Sequence, residues 1–446
     1  MVARNLSRPD DLIELGARSG PQEGEPATET LWALVDRDKA ELLTICADLI
    51  KIPSVYPGQM EAIVDFVCAY LSAAGIEHRI VRAPDNTPGI VAKVGTPGGK
   101  VAIFNGHNDV VPVGELARWD YSPYCGTITE TEILGRGASD MKCGVGIMLF
   151  IAKKMNELQL QLKGELHLHI VHDEENGGLM GTKFLIDEGY SEGAEFCMIP
   201  EPTTYSNVEV GQKGSMRAEI VTYGKPVNSS IINYVGENAV HKMVRVLNSL
   251  HELTEMKATF GEDEHELLED SRAVIRKCLG VPGVEQAIDH VNVNIVSVAG
   301  GDSMTMTPEV CCAHIGVLAP AMVPMSPVKD RLEAIVAREC PKGGAEVRYH
   351  RSSDGASTGV DTPLVRSALK HARALWAKKV VAAHQWATSD AKYYRHSGIP
   401  TIQYGPANVQ GIHAYNECVD QAEILNCAKV YLAVLNDLIG FQDVRD

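Results

Sequence analysis

The sequence predicts an α/β fold, a mixed sheet flanked by helices, with an α+β unit inserted into it. Helical stretches alternate with short β-branched runs over residues 31–207, and the order changes to strand-helix-strand-strand-helix-strand over residues 208–352. The first rhythm then returns over residues 353–446. With 446 residues, 45% hydrophobic and 22% charged, the chain is long enough for each part to hold its own core.

The elements follow in order. Residues 1–30 contain SRPDDLIELGARSGPQEGEPATET, which reads as a flexible arm without the apolar centre of a signal peptide. From Leu31, LWALVDRDKAELLTICADLIKIPS carries apolar residues at helical spacing as far as the Pro53 region. MEAIVDFVCAYLSAAG is a second helix closed by Gly75, and HRIVRA, IVAKVG and KVAIFNG are strands between Pro, Gly and Asn turns. KCGVGIMLFIAKKMNEL is helical, and ELHLHIVHDEE is a strand that ends in doubled acids. In the insert, SMRAEIVTYG, VNVNIVSVAGG, VCCAHIGVLA and AEVRYH are strands, while NAVHKMVRVLNSLHELTE and SPVKDRLEAIVARE are helices, the split-βαβ order. PLVRSALKHARALWAK, TIQYGP and AEILNCAKVYLAVLNDLIG restore the α/β pattern.

The 41 Lys+Arg against 58 Asp+Glu give a net charge of -17, which repels a phosphate backbone, so nucleic acid is not an expected partner. Eleven cysteines without a CxxC pair, in a chain too large to need stapling, point to reduced thiols and a cytoplasmic location. No apolar span of about 20 residues suggests a membrane segment.

Five spots place metal-capable side chains where strands end. IFNGHNDVVP offers His107, with Asp109 two residues on to accept the imidazole's other N–H. GRGASDMKCG offers Asp140, VHDEENGG offers Glu174 and Glu175, MIPEPT offers Glu201, and GIHAYNE offers His413. A lone strand-end His or Asp is more often a cap or turn residue. Two imidazoles and three carboxylates from separate strand ends, however, can converge at the carboxyl edge of an α/β sheet. Such mixed N/O donors suit one or two divalent ions per subunit, with a shared carboxylate, and are compatible with zinc, manganese or cobalt. Glu174 and Glu175 cannot both face a metal from a regular strand, so one is expected to bind and the other to work on the water.

GHNDVVP, GRGASDMKCG, DEENGGLMGT, PEPT and GIHAYNE, in this order and spacing, resemble the metallopeptidase family of aminoacylase, acetylornithine deacetylase, succinyl-diaminopimelate desuccinylase and glutamate carboxypeptidase. The resemblance implies a phosphorylase/hydrolase-like catalytic domain in two parts, with a ferredoxin-like lid that also dimerises. It implies that His107, Asp140 and Glu201 hold one ion and that Asp140, Glu175 and His413 hold the other. Asp140 would then bridge, Asp109 would back His107, and Glu174 would be the general base. The implied reaction is hydrolysis of a C–N bond in a small polar molecule, an N-acyl amino acid or peptide-like amide, by a homodimer or higher homo-oligomer.

Two places depart from that pattern. Relatives carry a lid histidine that reaches into the partner's active site and donates to the oxyanion, and here GKPVNSSIINYVGENAV has Asn228 at that position. An amide can donate but cannot titrate near neutrality. The lid strand that usually supplies an arginine for a substrate carboxylate reads SMTMTPEVCCAHIGVLAP, with Thr305 at the usual Asn, and no arginine lies between Arg276 and Arg331. The altered lid motivates a second reading, hydrolytic deamination of an aromatic amine. A third reading is a metal-binding scaffold without catalysis, against which the retained Glu174 argues.

Among the remaining candidates, His172 either lines the pocket or is buried structurally, and His167 and His169 alternate along a strand as packed residues. Asp390, in ATSDAKYYRHSG, is expected to be structural or to support the site from behind. HELLE is not HExxH, GRGASD is not GxGxxG, and GxxxxGK[ST] does not occur, which leaves zincin and nucleotide-binding readings without support.

Overall fold

The computed structural model describes residues 28–58, 60–157, 161–377 and 379–442. At its centre is a nine-stranded sheet in the order His78–Arg82, Pro88–Gly95, Gly164–Val171, Lys100–His107, Ala194–Pro202, Thr401–Gly405, Asn207–Gln212 and Ala356–Ser357, with Val381–His384 also on Asn207–Gln212. Gly164–Val171, Lys100–His107, Ala194–Pro202 and Thr401–Gly405 run parallel, whereas His78–Arg82 and Pro88–Gly95 pair antiparallel, so the sheet is mixed.

The parallel strands are buried on both faces, which is why they read as near-continuous apolar runs. Successive residues point to opposite layers. Ala102 and Phe104 pack with the helices Lys39–Ile50, Cys143–Glu157 and Gln421–Leu438, while Ile103 packs with Ala391 and Tyr394 of the helix Ala391–His396. No helix among the described residues is long and apolar enough to cross a membrane.

A second, four-stranded antiparallel sheet has the order Asn292–Gly300, Val310–Ala319, Gly214–Tyr223, Ala345–Ser353. The helices Ala239–Ser249 and Met325–Glu339 cover one face, packing Met243, Val246, Leu332 and Ile335 on Ala218, Ile220 and Ala313. Its other face is the more open one, with Arg217, Asn294 and His314 exposed.

Three local expectations differ from the structure. The helix expected from Leu31 is two, Thr28–Arg37 and Lys39–Ile50, broken at Asp38, whose carboxylate takes Arg37 at 2.8 Å and Lys154 at 3.0 Å. Residues 28–30 of the expected arm therefore begin a helix, and residues 1–27 lie outside the described residues. Sheet membership changes at Lys213 rather than at residue 208, because Asn207–Gln212 pairs in the large sheet and Gly214–Tyr223 opens the small one. Two β-type runs one residue apart carry no local mark of that change. The helix His265–Leu279, for which the sequence offered no element, sits within the expected insert yet packs Val274 on Val381 and Ala383 of the large sheet. Ser271 Oγ there accepts the His384 N–H at 2.8 Å.

Candidate metal centre

The parallel strands end at one edge, and the predicted ligands gather there. His107 closes Lys100–His107, and Glu201 lies at the end of Ala194–Pro202. Asp140 sits in the turn 138–142 before Cys143–Glu157, and His413 follows Thr401–Gly405 at φ 58°, a left-handed conformation uncommon for a residue with a side chain. The strand before the doubled acids stops at Val171, so Glu174 and Glu175 stand in a single turn, Glu174–Asn176, and not on a strand. The turn, rather than strand alternation, separates their side chains.

One ligand atom each from His107, Asp140 and Glu201 lies within 4.8 Å of the others, and the same holds for Asp140, Glu175 and His413. The Asp140 carboxylate stands between the imidazoles, with Oδ1 at 3.1 Å from His107 Nε2 and Oδ2 at 3.2 Å from His413 Nε2. Glu201 Oε2 is 3.8 Å from His107 Nε2, and Glu175 Oε1 is 2.9 Å from His413 Nε2. Glu174 has no side-chain hydrogen bond among the described residues.

This donor set fits a cation. His107 Nδ1 donates to the Asp109 carbonyl at 3.0 Å, which leaves Nε2 presenting a lone pair toward two carboxylates. A proton or a divalent ion can neutralise that convergence. Burial lowers the proton affinity of His107, but Asp109, Asp140 and Glu201 outweigh it and hold the pKa above its ordinary value. His413 is raised to about 10 by its bonds to Asp140 and Glu175. Burial pushes Glu201 up to about 7 and raises Glu174 and Glu175, with Glu201 adding to the shift of Glu174 and Asp140 to that of Glu175.

Asp109 does more than back His107. The nearer acceptor for the imidazole is its carbonyl, with the carboxylate Oδ1 at 3.5 Å, and its Oδ2 instead accepts the Glu175 N–H at 3.0 Å. The loop after the acids is gripped from both sides. Tyr393 donates to the Gly177 carbonyl at 2.6 Å, and Arg351, on the edge strand of the second sheet, donates to the Asn176 carbonyl. Gly177 and Gly178 have φ of 100° and 69°, and a Cβ would run into Arg351 at the first and the Asp390 carboxylate at the second.

Glu417, quoted within GIHAYNE but given no role from sequence, holds the Asp140 turn. Its carboxylate accepts from Arg136 at 2.6 Å and from the main-chain N–H groups of Gly137, Ser139 and Asp140 at 3.1, 2.9 and 3.1 Å. A buried acid among four donors shows only once the 137–140 and 417 segments meet.

Asn228 is not brought to this cluster within the chain. It is exposed, and its Oδ1 caps its own turn, accepting from Ser230 N at 3.0 Å and Ser230 Oγ at 2.8 Å. It pairs with Met306, and Thr305 accepts the Ser229 N–H at 3.3 Å, so the two departures in the sequence pattern are neighbours. His172 is buried, held by Nδ1 to the Pro88 carbonyl at 2.9 Å and lowered by burial to about 4. His169 bonds Tyr394 at 2.8 Å, and His167 bonds Glu165 at 2.9 Å.

A mixed sheet with two imidazoles and interleaved carboxylates at the carboxyl edge of its parallel strands, beside a second small sheet, defines a metal-dependent hydrolase. Residues 103–437 match peptidase family M20/M25/M40, and the chain belongs to that family. It is a metal-dependent enzyme hydrolysing C–N bonds of small amide substrates. Among its relatives, the succinyl-diaminopimelate desuccinylase of Cereibacter sphaeroides (strain ATCC 17029 / ATH 2.4.9) is 27% identical over 412 residues, covering 89% of this chain and 98% of that one. The fold resembles the di-peptidase Dug1p of Saccharomyces cerevisiae, with a TM-score of 0.74 at 17% identity over 92% of this chain and 98% of that one. It also resembles human carnosine dipeptidase 1, with a TM-score of 0.73 at 16% identity over 93% and 99%.

Proposed function

We propose that His107, Asp140 and Glu201 hold one divalent ion and that Asp140, Glu175 and His413 hold a second, of zinc, manganese or cobalt, for hydrolysis of an N-acyl or peptide-like amide. The observation that carries this reading is the Asp140 carboxylate, which turns one oxygen to each imidazole at 3.1 and 3.2 Å. Relatives named succinyl-diaminopimelate desuccinylase support an acyl amide as the substrate.

Ions bound there supply Lewis acidity toward a water and the amide carbonyl oxygen. Glu174, without a side-chain hydrogen bond among the described residues and raised by burial, takes a proton from the attacking water. The water oxygen bonds to the acyl carbon, the C–N bond breaks, and Glu174 returns the proton to the leaving nitrogen. Asp109 keeps the His107 ring and the Glu175 turn in register, so the ligands and the base share one frame.

Several features support a homodimer through the second sheet. Asn292–Gly300 is an edge strand carrying exposed Ile295, Val296 and Val298, with exposed Met304, Met306 and Tyr234 nearby in sequence or on the Asn228 side. In that assembly Asn228 would serve the partner's site as an oxyanion donor. All eleven cysteines are unpaired, which supports a reducing, cytoplasmic setting.

The test is incubation of purified protein with zinc, manganese or cobalt and a panel of N-acyl amino acids and aminobenzoates, following amine and ammonia release. Amine release is expected, and Glu174→Gln should lower kcat by about 10²–10⁴ with metal content unchanged. Ammonia from an aminobenzoate would favour deamination instead. Release of neither amine nor ammonia would favour the non-catalytic scaffold, and activity unaltered in Glu174→Gln would remove Glu174 as the base.

A further inference from the structure

The open face of the second sheet carries two rows of charge that differ. In the outer row, His314, Glu219 and Arg348 lie side by side on adjacent strands, and Glu219 pairs with Arg348 at 3.1 Å and lies 3.7 Å from His314. One step closer to the large sheet the row reads Asn294, Gly316, Arg217, Arg351 in direct cross-strand register. This row contains no acid. Arg217 has no side-chain partner among the described residues, and Arg351 gives one N–H to the Asn176 carbonyl and meets no carboxylate.

Like charges directly opposite on a sheet are destabilising, so an unneutralised arginine pair needs a counter-charge from elsewhere. Both arginines line a cleft of about 540 Å³ between the two sheets, which is also bounded by Gly177 of the loop that carries Glu174 and Glu175. The row is open at Gly316, where a Cβ would meet nothing within 4 Å. The acid lining the cleft, Asp187, is already paired with Lys183 at 2.6 Å.

We propose that Arg217 and Arg351 form an anion subsite that takes a carboxylate of the substrate remote from the scissile bond. This rests on the amide-hydrolase reading and names its substrate class, an amide carrying a second, anionic group. Two guanidinium forks on neighbouring strands match a carboxylate's planar oxygens better than a lysine would.

The test is calorimetric binding of straight-chain dicarboxylates from succinate to pimelate, each against the monocarboxylate of equal carbon number, to the metal-loaded full chain. For the best-fitting length, the dicarboxylate should bind at least about tenfold more tightly. That preference should fall to about threefold or less in Arg217→Ala and in the Arg217→Ala/Arg351→Ala pair, and be partly kept in Arg351→Lys. Arg217 makes no hydrogen bond or ion pair to the catalytic loop among the described residues, so its single substitution separates anion binding from loss of the Arg351 bond to Asn176. No preference in the parent protein at any length, or an equal preference in the double variant, would overturn the proposal. This readout holds even if no amide is turned over, a result that would count only against the hydrolase substrate reading.

Discussion

The Asp109 carboxylate accepts the main-chain N–H of Glu175 at 3.0 Å, while the carbonyl of the same residue accepts His107 Nδ1 at 3.0 Å. One buried residue thereby ties a histidine on one side of Asp140 to a glutamate on the other. Partners behind metal ligands commonly contribute 10–100-fold in affinity. Asp109→Ala should weaken metal binding by about that factor in competition with a chelating dye, and Asp109→Asn, which keeps an acceptor for Glu175, should lose less. Equal affinity in all three proteins would show that the turn holds itself.

Glu417 gathers Arg136 and three main-chain N–H groups around one buried carboxylate. Glu417→Gln leaves Arg136 buried without its counter-charge, a change that typically costs about 3–5 kcal/mol. We expect a lower urea midpoint and reduced metal content together, because the same carboxylate positions Asp140. Lower stability with full metal content would separate the two roles.

Asn228 lies away from the metal cluster of its own chain. If it acts across a dimer, Asn228→Ala should lower kcat by about 10–10³ while metal content stays the same. Mixing Asn228→Ala with Glu174→Gln subunits should then restore part of the activity. A monomer by light scattering, or no recovery on mixing, would remove the trans role.

Burial raises the Glu209 carboxyl to about 8, with its neighbour Glu201 adding to the shift. The folded chain therefore keeps a proton that the unfolded chain releases near 4.5. On this account its contribution is most favourable below about pH 4.5 and declines as pH rises toward 8. Glu209→Gln, which stays neutral, should match the parent near pH 4.5–5 and exceed it at pH 8 by on the order of 2–4 kcal/mol in urea unfolding. A constant difference between the two proteins across that range would contradict a buried neutral acid.

Much of the fold is legible in local pattern. The strand Lys100–His107, the helix Cys143–Glu157 and the split-βαβ order of the second sheet all follow from spacing within about ten residues. His107, Asp140, Glu175, Glu201 and His413 are likewise recognisable as candidates, because each sits in a short motif at a strand end or loop. What was not legible depends on who the neighbour is. Asn207–Gln212 and Gly214–Tyr223 are similar strings on either side of Lys213, and only their pairing partners assign them to different sheets.

By itself the sequence determined the class of chemistry: the candidate ligand types, their order along the chain, and the alternation that delivers strand ends to one edge. The tertiary structure alone decided that Asp109 braces Glu175, that Glu417 cradles the Asp140 turn, and that Arg217 faces Arg351 across a strand pair with no acid beside them. Periodicity is a property of neighbours in the chain, whereas these contacts join segments up to about 280 residues apart and exist only once the sheets have closed.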